Sequence, residues 1–218
     1  MPSPGSLVKE YARWKDHQTN NDVYKNAIPW ITFWTIDYLE EFLNKKMSVF
    51  EYGGGGSTLF FASRVAELVT VEHNQEWFSG LTIEMKKNTT VQWTSNMIQP
   101  ELVKETSNLK IDRPEDYFSD DENFKLHTFK EYASRIDEYP DEHFDIVLVD
   151  GRARPSCMLH SLRKVKKNGL LILDNADRTY YLTYFKGKLD NYKLVADYTG
   201  PTPYLPWFTQ TNVWKRMH

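Results

Sequence analysis

Ser48-Val-Phe-Glu-Tyr-Gly-Gly-Gly-Gly-Ser-Thr58 is the stretch on which the reading of this chain turns. A short apolar run ends in four consecutive glycines. Two hydroxyl residues follow that can cap a helix over 59–66. Four positions without a Cβ at a strand-to-helix junction let the backbone bend sharply and approach a ligand closely. Leu68-Val-Thr-Val-Glu72 reads as the next strand. A helix between two strands leaves no hairpin, so the pair is parallel with a right-handed crossover.

Working outward, residues 76–87 read as a helix and 90–93 as a third strand. Phe144-Asp-Ile-Val-Leu-Val149 is the clearest buried strand, ending at Asp150-Gly151. A helix over 155–166 closes at Asn168-Gly169. Leu170-Leu-Ile-Leu173 is the next strand and ends at Asp174-Asn175. Residues 178–188 read as a helix, and 192–198 and 212–215 as the last strands. Upstream, Pro29 opens an amphipathic helix that ends near Asn44. This alternation predicts a doubly wound α/β fold: a mostly parallel seven-stranded sheet, an antiparallel last strand and helices on both faces. Residues 45–218 form that domain, and 1–44 a helical extension packed on it. Residues 95–127 break the rhythm and read as an inserted lid or substrate loop. Residues 128–138 return to helix.

In such folds ligands bind beyond the carboxyl ends of the strands. Three strand ends carry polar or acidic residues: Glu51 to Ser57, Glu72-His73 and Asp150-Gly151. A dinucleotide fingerprint needs a third glycine, where this chain has Thr58 or Leu59. A phosphate-cradling loop needs a lysine before its hydroxyl residue, where this chain has Gly56 before Ser57. Glu51 beside the glycines would repel a pyrophosphate and attract a cation. S-adenosylmethionine carries an ammonium and a sulfonium and no phosphate, so Glu51 favours it. Glu72 can accept ribose hydroxyls, a role shared with NAD enzymes.

With 27 basic and 30 acidic side chains the net charge is −3, which disfavours a nucleic-acid partner. The basic residues Arg152, Arg154, Arg163, Lys164, Lys166 and Lys167 read as a solvated helix face, although Arg152 and Arg154 could grip an anionic substrate. The one cysteine, Cys157, permits no internal disulfide and reads as packing in a reducing compartment. No stretch approaches the roughly 20 apolar residues of a membrane span. Residues 1–11 lack the apolar core of a signal peptide. A soluble, cytoplasmic protein is expected.

Phe50-Glu-Tyr-Gly-Gly-Gly-Gly-Ser-Thr58 resembles motif I of class I S-adenosylmethionine-dependent methyltransferases. Val71-Glu-His73, the strand ending at Asp150-Gly151, Asn168-Gly-Leu-Leu-Ile-Leu-Asp174 and Thr211-Asn-Val-Trp214 resemble its later motifs in order. The resemblance implies S-adenosylmethionine held by Glu51, Tyr52, Gly53, Gly54, Gly55, Ser57, Glu72, His73 and Asp150. Gly53 and Gly55 would line the methionine moiety, and Glu51 would hold its amino end directly or through water. Glu72 would bind the ribose, with His73 beside the adenine and Asn96 the nearest further polar candidate there. Asp150 would face the methyl-transfer site, with Asp174 as its catalytic companion.

Asp150 with Asp174-Asn175 also resembles the ligand set of divalent-metal O-methyltransferases, which implies Mg²⁺ on Asp150, Asp174 and Asn175. Three oxygen ligands suit a hard cation, which would lower the pKa of an acceptor hydroxyl. The other reading has Asp174-Asn175 capping the next segment. General bases without metal are His73, His160 and Asp174. Trp30, Trp34, Tyr180, Tyr181, Tyr204 and Trp207 read mostly as core, although some could wall a substrate pocket, because Tyr180 and Tyr181 follow directly from the fifth-strand end. The expected activity is methyl transfer to a small molecule, at oxygen. A macromolecular acceptor and a non-catalytic scaffold with a relict pocket are the alternatives. The oligomeric state stays open, a homodimer among the options.

Overall fold

The computed structural model describes residues 4–87, 90–104 and 108–218. Residues 1–3 of the N-terminal extension and 105–107 of the predicted insertion lie outside the described residues. The main sheet has seven strands: β1 (Ser48–Tyr52), β2 (Glu67–Glu72), β3 (Gln92–Met97), β6 (Phe144–Val149), β7 (Val165–Leu173), β8 (Tyr192–Gly200) and β9 (Thr209–Arg216). Two short strands, β4 (Glu101–Leu102) and β5 (His127–Thr128), pair with each other outside it. The spatial order is β3-β2-β1-β6-β7-β9-β8. Neighbours from β3 to β7 are parallel, and β9 runs antiparallel to both β7 and β8.

The central strands are apolar at consecutive positions because both faces are covered. Val49, Leu68, Ile146 and Ile172 pack on one face with Phe60, Phe61 and Ile36. Phe50, Val69, Val147 and Leu171 pack on the other with Phe129, Tyr132 and Met158. All of these are at most 1% exposed. Strand alternation sends neighbouring residues to opposite sides, so a strand buried on both has no polar beat. Each such side chain contributes about 1.5–3 kcal/mol by leaving water.

The helices are α1 (Pro4–Thr19), α2 (Val23–Asn26), α3 (Phe33–Phe42), α4 (Gly56–Ala62), α5 (Gln75–Met85), α6 (Lys130–Ser134) and α7 (Arg154–Ser161). Several boundaries differ from the sequence reading. Pro29 lies before α3, which begins at Phe33 behind Thr32. Helix α7 ends at Ser161, and Asn168-Gly169 lie inside β7 instead of closing a helix. Asn168 takes a left-handed φ of 66°, and the β6–β7 register shifts between Phe144 and Ile146. The turn signal is real, but it marks an irregularity within a strand. Residues 178–188 hold only a 3-10 turn, Thr179–Leu182. Consecutive tyrosines are weak helix formers, and burial of Tyr181 and Phe185 fixes this segment on the core. Strand β3 continues to Met97, so Ser95 and Asn96 belong to it. It is an edge strand of polar residues, which gives no apolar run to read.

The N-terminal helices lie close to the strand ends. The Trp14 indole donates to the Leu205 carbonyl at 2.7 Å, and Tyr24 donates to the Trp77 carbonyl at 3.1 Å. No helix among the described residues is long and apolar enough to cross a membrane.

Candidate functional site

The glycine run is shaped first by the protein's own backbone. Gly53 sits at φ +90°, a conformation costly for a residue with a side chain. A Cβ on Gly56 would lie 2.2 Å from the Ile28 carbonyl oxygen, so the start of α4 can press against the N-terminal segment. The turn thereby leaves the Gly54 amide free to point across to β2.

That amide donates to Glu72 Oε2 at 3.0 Å. The amides of His73 and Asn74 donate to Glu72 Oε1 at 2.8 and 2.7 Å, and His73 Nδ1 lies 2.9 Å from it. Burial opposes ionisation of Glu72, but His73 and these amides outweigh it and hold the carboxyl below its ordinary range. Glu72 is therefore a fixed anion at the end of β2.

Glu51, one strand over, behaves in the opposite way. It is fully buried behind the glycine turn. Ser57 donates to its Oε2 at 2.6 Å, Thr70 donates to Oε1 at 2.8 Å, and Thr58 donates to Oε1 as well. Burial raises its pKa to about 7, and the three hydroxyls only partly offset that. Ser57 and Thr58 tie α4 to this buried carboxyl, and Thr58 also caps the helix as the sequence implies, its hydroxyl accepting from the Gly55 amide at 2.9 Å.

The strand ends open on a cavity of about 540 Å³. It sits where chain order reverses between β1 and β6, the switch point of the sheet. Gly53, Gly54, Ser57, Glu72, His73 and Asp150 line it, as do Asp174 and Asn175. Glu51, Tyr52 and Gly55 do not. Of the hydrogen-bond partners of Glu51, Ser57 alone lines the cavity. The Tyr52 side chain turns to the opposite face, where its hydroxyl donates to the Ala133 carbonyl at 2.6 Å. Asn96 is also away from the cavity, its amide directed at the Thr70 carbonyl at 3.4 Å.

Sequence reasoning missed several walls. Trp77 lines the cavity and donates its indole N–H to the Gly54 carbonyl. Trp30 and Trp207, assigned mostly to core, line the mouth and are 39% and 59% exposed. Arg178 lines it too. Nothing local marks these residues, because they reach the cavity from α5 and from loops far apart in sequence.

At the ends of β6 and β7, Arg154 is held by both strands. It donates to the carbonyls of Gly151 at 3.0 Å, Asp150 at 3.1 Å and Asp174. Its guanidinium also pairs with Asp150 at 3.0 Å and Asp174 at 3.5 Å, while Thr211 donates to Asp174 at 2.8 Å. The Mg²⁺ reading of Asp150, Asp174 and Asn175 is corrected here. A guanidinium already occupies the space between the two carboxylates, so the residues do not fit a divalent ion. No group of three or more acidic, His or Cys residues that could hold a metal occurs among the described residues. Burial raises the pKa of Asp150 well above the ordinary value; Asp174 adds to the rise and Arg154 opposes it. Asp174 is raised as well, by its burial.

Most of the basic residues noted in the sequence are paired. Arg152 meets Asp121 at 2.8 Å, and Arg163 and Lys164 meet Asp141 at 2.6 and 3.1 Å. Lys166 meets Asp145 at 2.8 Å. His160 lies between Asp137, at 2.6 Å, and Tyr117, at 3.2 Å, away from the cavity. Cys157 is buried with its thiol pushed up by burial, which suits packing.

No family model and no curated protein matches the chain. Solved structures do. A methyltransferase-like protein from Silicibacter pomeroyi superposes with a TM-score of 0.51 at 18% identity, over 83% of this chain and 84% of that one. The Streptococcus mutans protein SMU.1697c, in complex with SAH, gives 0.58 at 10% identity over 87% and 99%. An rRNA methylase from Streptococcus thermophilus gives 0.54 at 11% identity over 84% and 93%. At these identities the likeness is one of fold. The chain has the Rossmann-like α/β fold of class I S-adenosylmethionine-dependent methyltransferases.

Proposed function

We propose that this protein transfers a methyl group from S-adenosylmethionine to an oxygen of a small-molecule acceptor. The observation that carries this reading is the cavity at the switch point, with fixed Glu72 at one end and Asp150, Arg154 and Asp174 at the other. Glu72, held as an anion at the end of β2, suits a ligand bearing an ammonium and a sulfonium and opposes a pyrophosphate beside it. Its volume falls in the range of small-molecule sites.

Gly53, Gly54 and Ser57 would take the methionine part, Glu72 the ribose hydroxyls and His73 the adenine side. When bound, the cofactor supplies a methyl carbon made electrophilic by its sulfonium. The Asp150–Asp174 pair would take the proton that the acceptor oxygen gives up as it receives the methyl group. A carboxyl raised toward neutrality by burial is a stronger base than a free one. Arg154 keeps the pair from repelling itself apart. Trp30, Trp77 and Trp207 limit water at the reacting centre. A cytoplasmic setting belongs to the same reading, supported by the single unpaired cysteine. One observation favours a macromolecular acceptor as a second reading: Trp207 and Phe208, 59% and 57% exposed, offer flat apolar surface, and Trp207 lies at the mouth itself.

Calorimetric titration with S-adenosylhomocysteine tests the reading. The wild type should bind it in the micromolar range and NAD⁺ not at all. Glu72→Gln should weaken binding at least about tenfold, or about 1.4 kcal/mol. Absence of S-adenosylhomocysteine binding by the wild type would overturn it.

A further inference from the structure

Asp120, in the inserted segment, makes contacts unlike those of an ordinary loop carboxylate. The Tyr180 hydroxyl donates to its Oδ2 at 2.5 Å, and Arg178 lies 3.1 Å from the same oxygen. Tyr181 donates to the two carboxylate oxygens at 3.3 and 3.2 Å. The Arg178 guanidinium also donates to the Tyr181 hydroxyl at 3.0 Å, which fixes these two donors relative to each other. Two phenols and a guanidinium converging on one point form a receptor for an oxyanion. They follow directly from Asp174-Asn175, and Arg178 lines the cavity itself. The neighbouring aspartate, Asp121, pairs with Arg152, a second arginine of the cavity wall.

We propose that the Arg178–Tyr180–Tyr181 cradle is the subsite for an anionic group of the acceptor, a carboxylate or a phosphate, and that Asp120 fills it in the free protein. The assignment of the anion to an acceptor rests on the methyltransferase reading. The plug is replaceable. The Arg178 and Asp120 side chains are 44% and 26% exposed, and an ion pair so exposed contributes little to stability. Tyr181, by contrast, is buried, so its hydroxyl stays in place when the carboxylate leaves. An acceptor with its own oxyanion gains the same donors and displaces Asp120 from them. A neutral acceptor has no means of doing so.

Inorganic phosphate and benzoate serve as probes, titrated into wild type, Asp120→Ala and the double variant Asp120→Ala with Arg178→Gln. Asp120→Ala should bind at least one probe about tenfold or more tighter than wild type, and the double variant should lose that gain. Preference for phosphate or for benzoate identifies which oxyanion the cradle is shaped for. Asp120→Asn, which keeps the side-chain size, should show a smaller gain in the same direction. Equal affinities in wild type and both single variants, or a gain that survives Arg178→Gln, would overturn the proposal. S-adenosylhomocysteine is titrated into the same samples. Its failure to bind, alongside a gain for phosphate or benzoate, removes the methyltransferase reading and leaves the anion site standing.

Discussion

The two ends of the cavity are built by different means. At the β1–β2 end neutral donors do the holding: three backbone amides fix Glu72, and three side-chain hydroxyls from α4 and β2 fix Glu51. At the β6–β7 end, and where the inserted segment meets its arginines, charged side chains face each other: Arg154 with Asp150 and Asp174, Arg152 with Asp121, Arg178 with Asp120. A backbone amide cannot change partner without unfolding its turn, whereas an exposed arginine can. The first end suits an invariant ligand. The second suits one whose arrival rearranges the wall.

The strongest test of this contrast is Arg154→Met. It leaves two carboxyls facing each other in a buried site, and truncating one partner of a buried ion pair costs about 3–5 kcal/mol. The sign with pH follows from the raised pKa of both carboxyls. A carboxyl raised in the folded state stabilises below its unfolded value and loses that contribution as pH rises through the folded one. The deficit of Arg154→Met should therefore be largest near neutral pH and shrink toward pH 4, as read from urea unfolding midpoints. A deficit independent of pH would mean that Arg154 acts through its three carbonyl contacts alone.

Glu51 gives the next effect. Its folded pKa of about 7 lies above the ordinary carboxyl value of 4.5, so the wild type loses stability as pH rises across that window. Glu51→Gln, which cannot ionise, should flatten this dependence. It should equal or exceed wild type at pH 8 by on the order of 1–3 kcal/mol. Identical pH profiles for the two proteins would show that the buried carboxyl is not the titrating group.

The smallest effect is expected at the inserted segment. Asp121→Asn breaks a pair with Arg152 that is 36% exposed at its arginine and should change stability by less than about 1 kcal/mol. A larger loss would show that the segment is anchored rigidly at this point, and the two ends would then differ less than their contacts suggest.

Local sequence carried much of the architecture. The glycine run, the apolar runs ending in Glu72 and Asp150, and the alternation of elements determine a parallel sheet with its cavity at the strand ends. These signals are short-range: a missing Cβ, a stretch with no polar beat, a carboxylate at a strand terminus. Glu72 is placed by the turn beside it, so its position could be read directly. Asn168-Gly169 was legible as a turn signal, yet whether it ended a helix or bent a strand depended on β6 lying alongside. Only the tertiary structure decided that Glu51 is buried behind Ser57 and that a guanidinium stands between Asp150 and Asp174. It alone brought Trp30, Trp77 and Trp207 to one wall and Asp120 to Arg178. Each of these depends on the distance between groups remote in the chain, and charge, burial and hydrogen bonding act through that distance, which residue order alone does not encode.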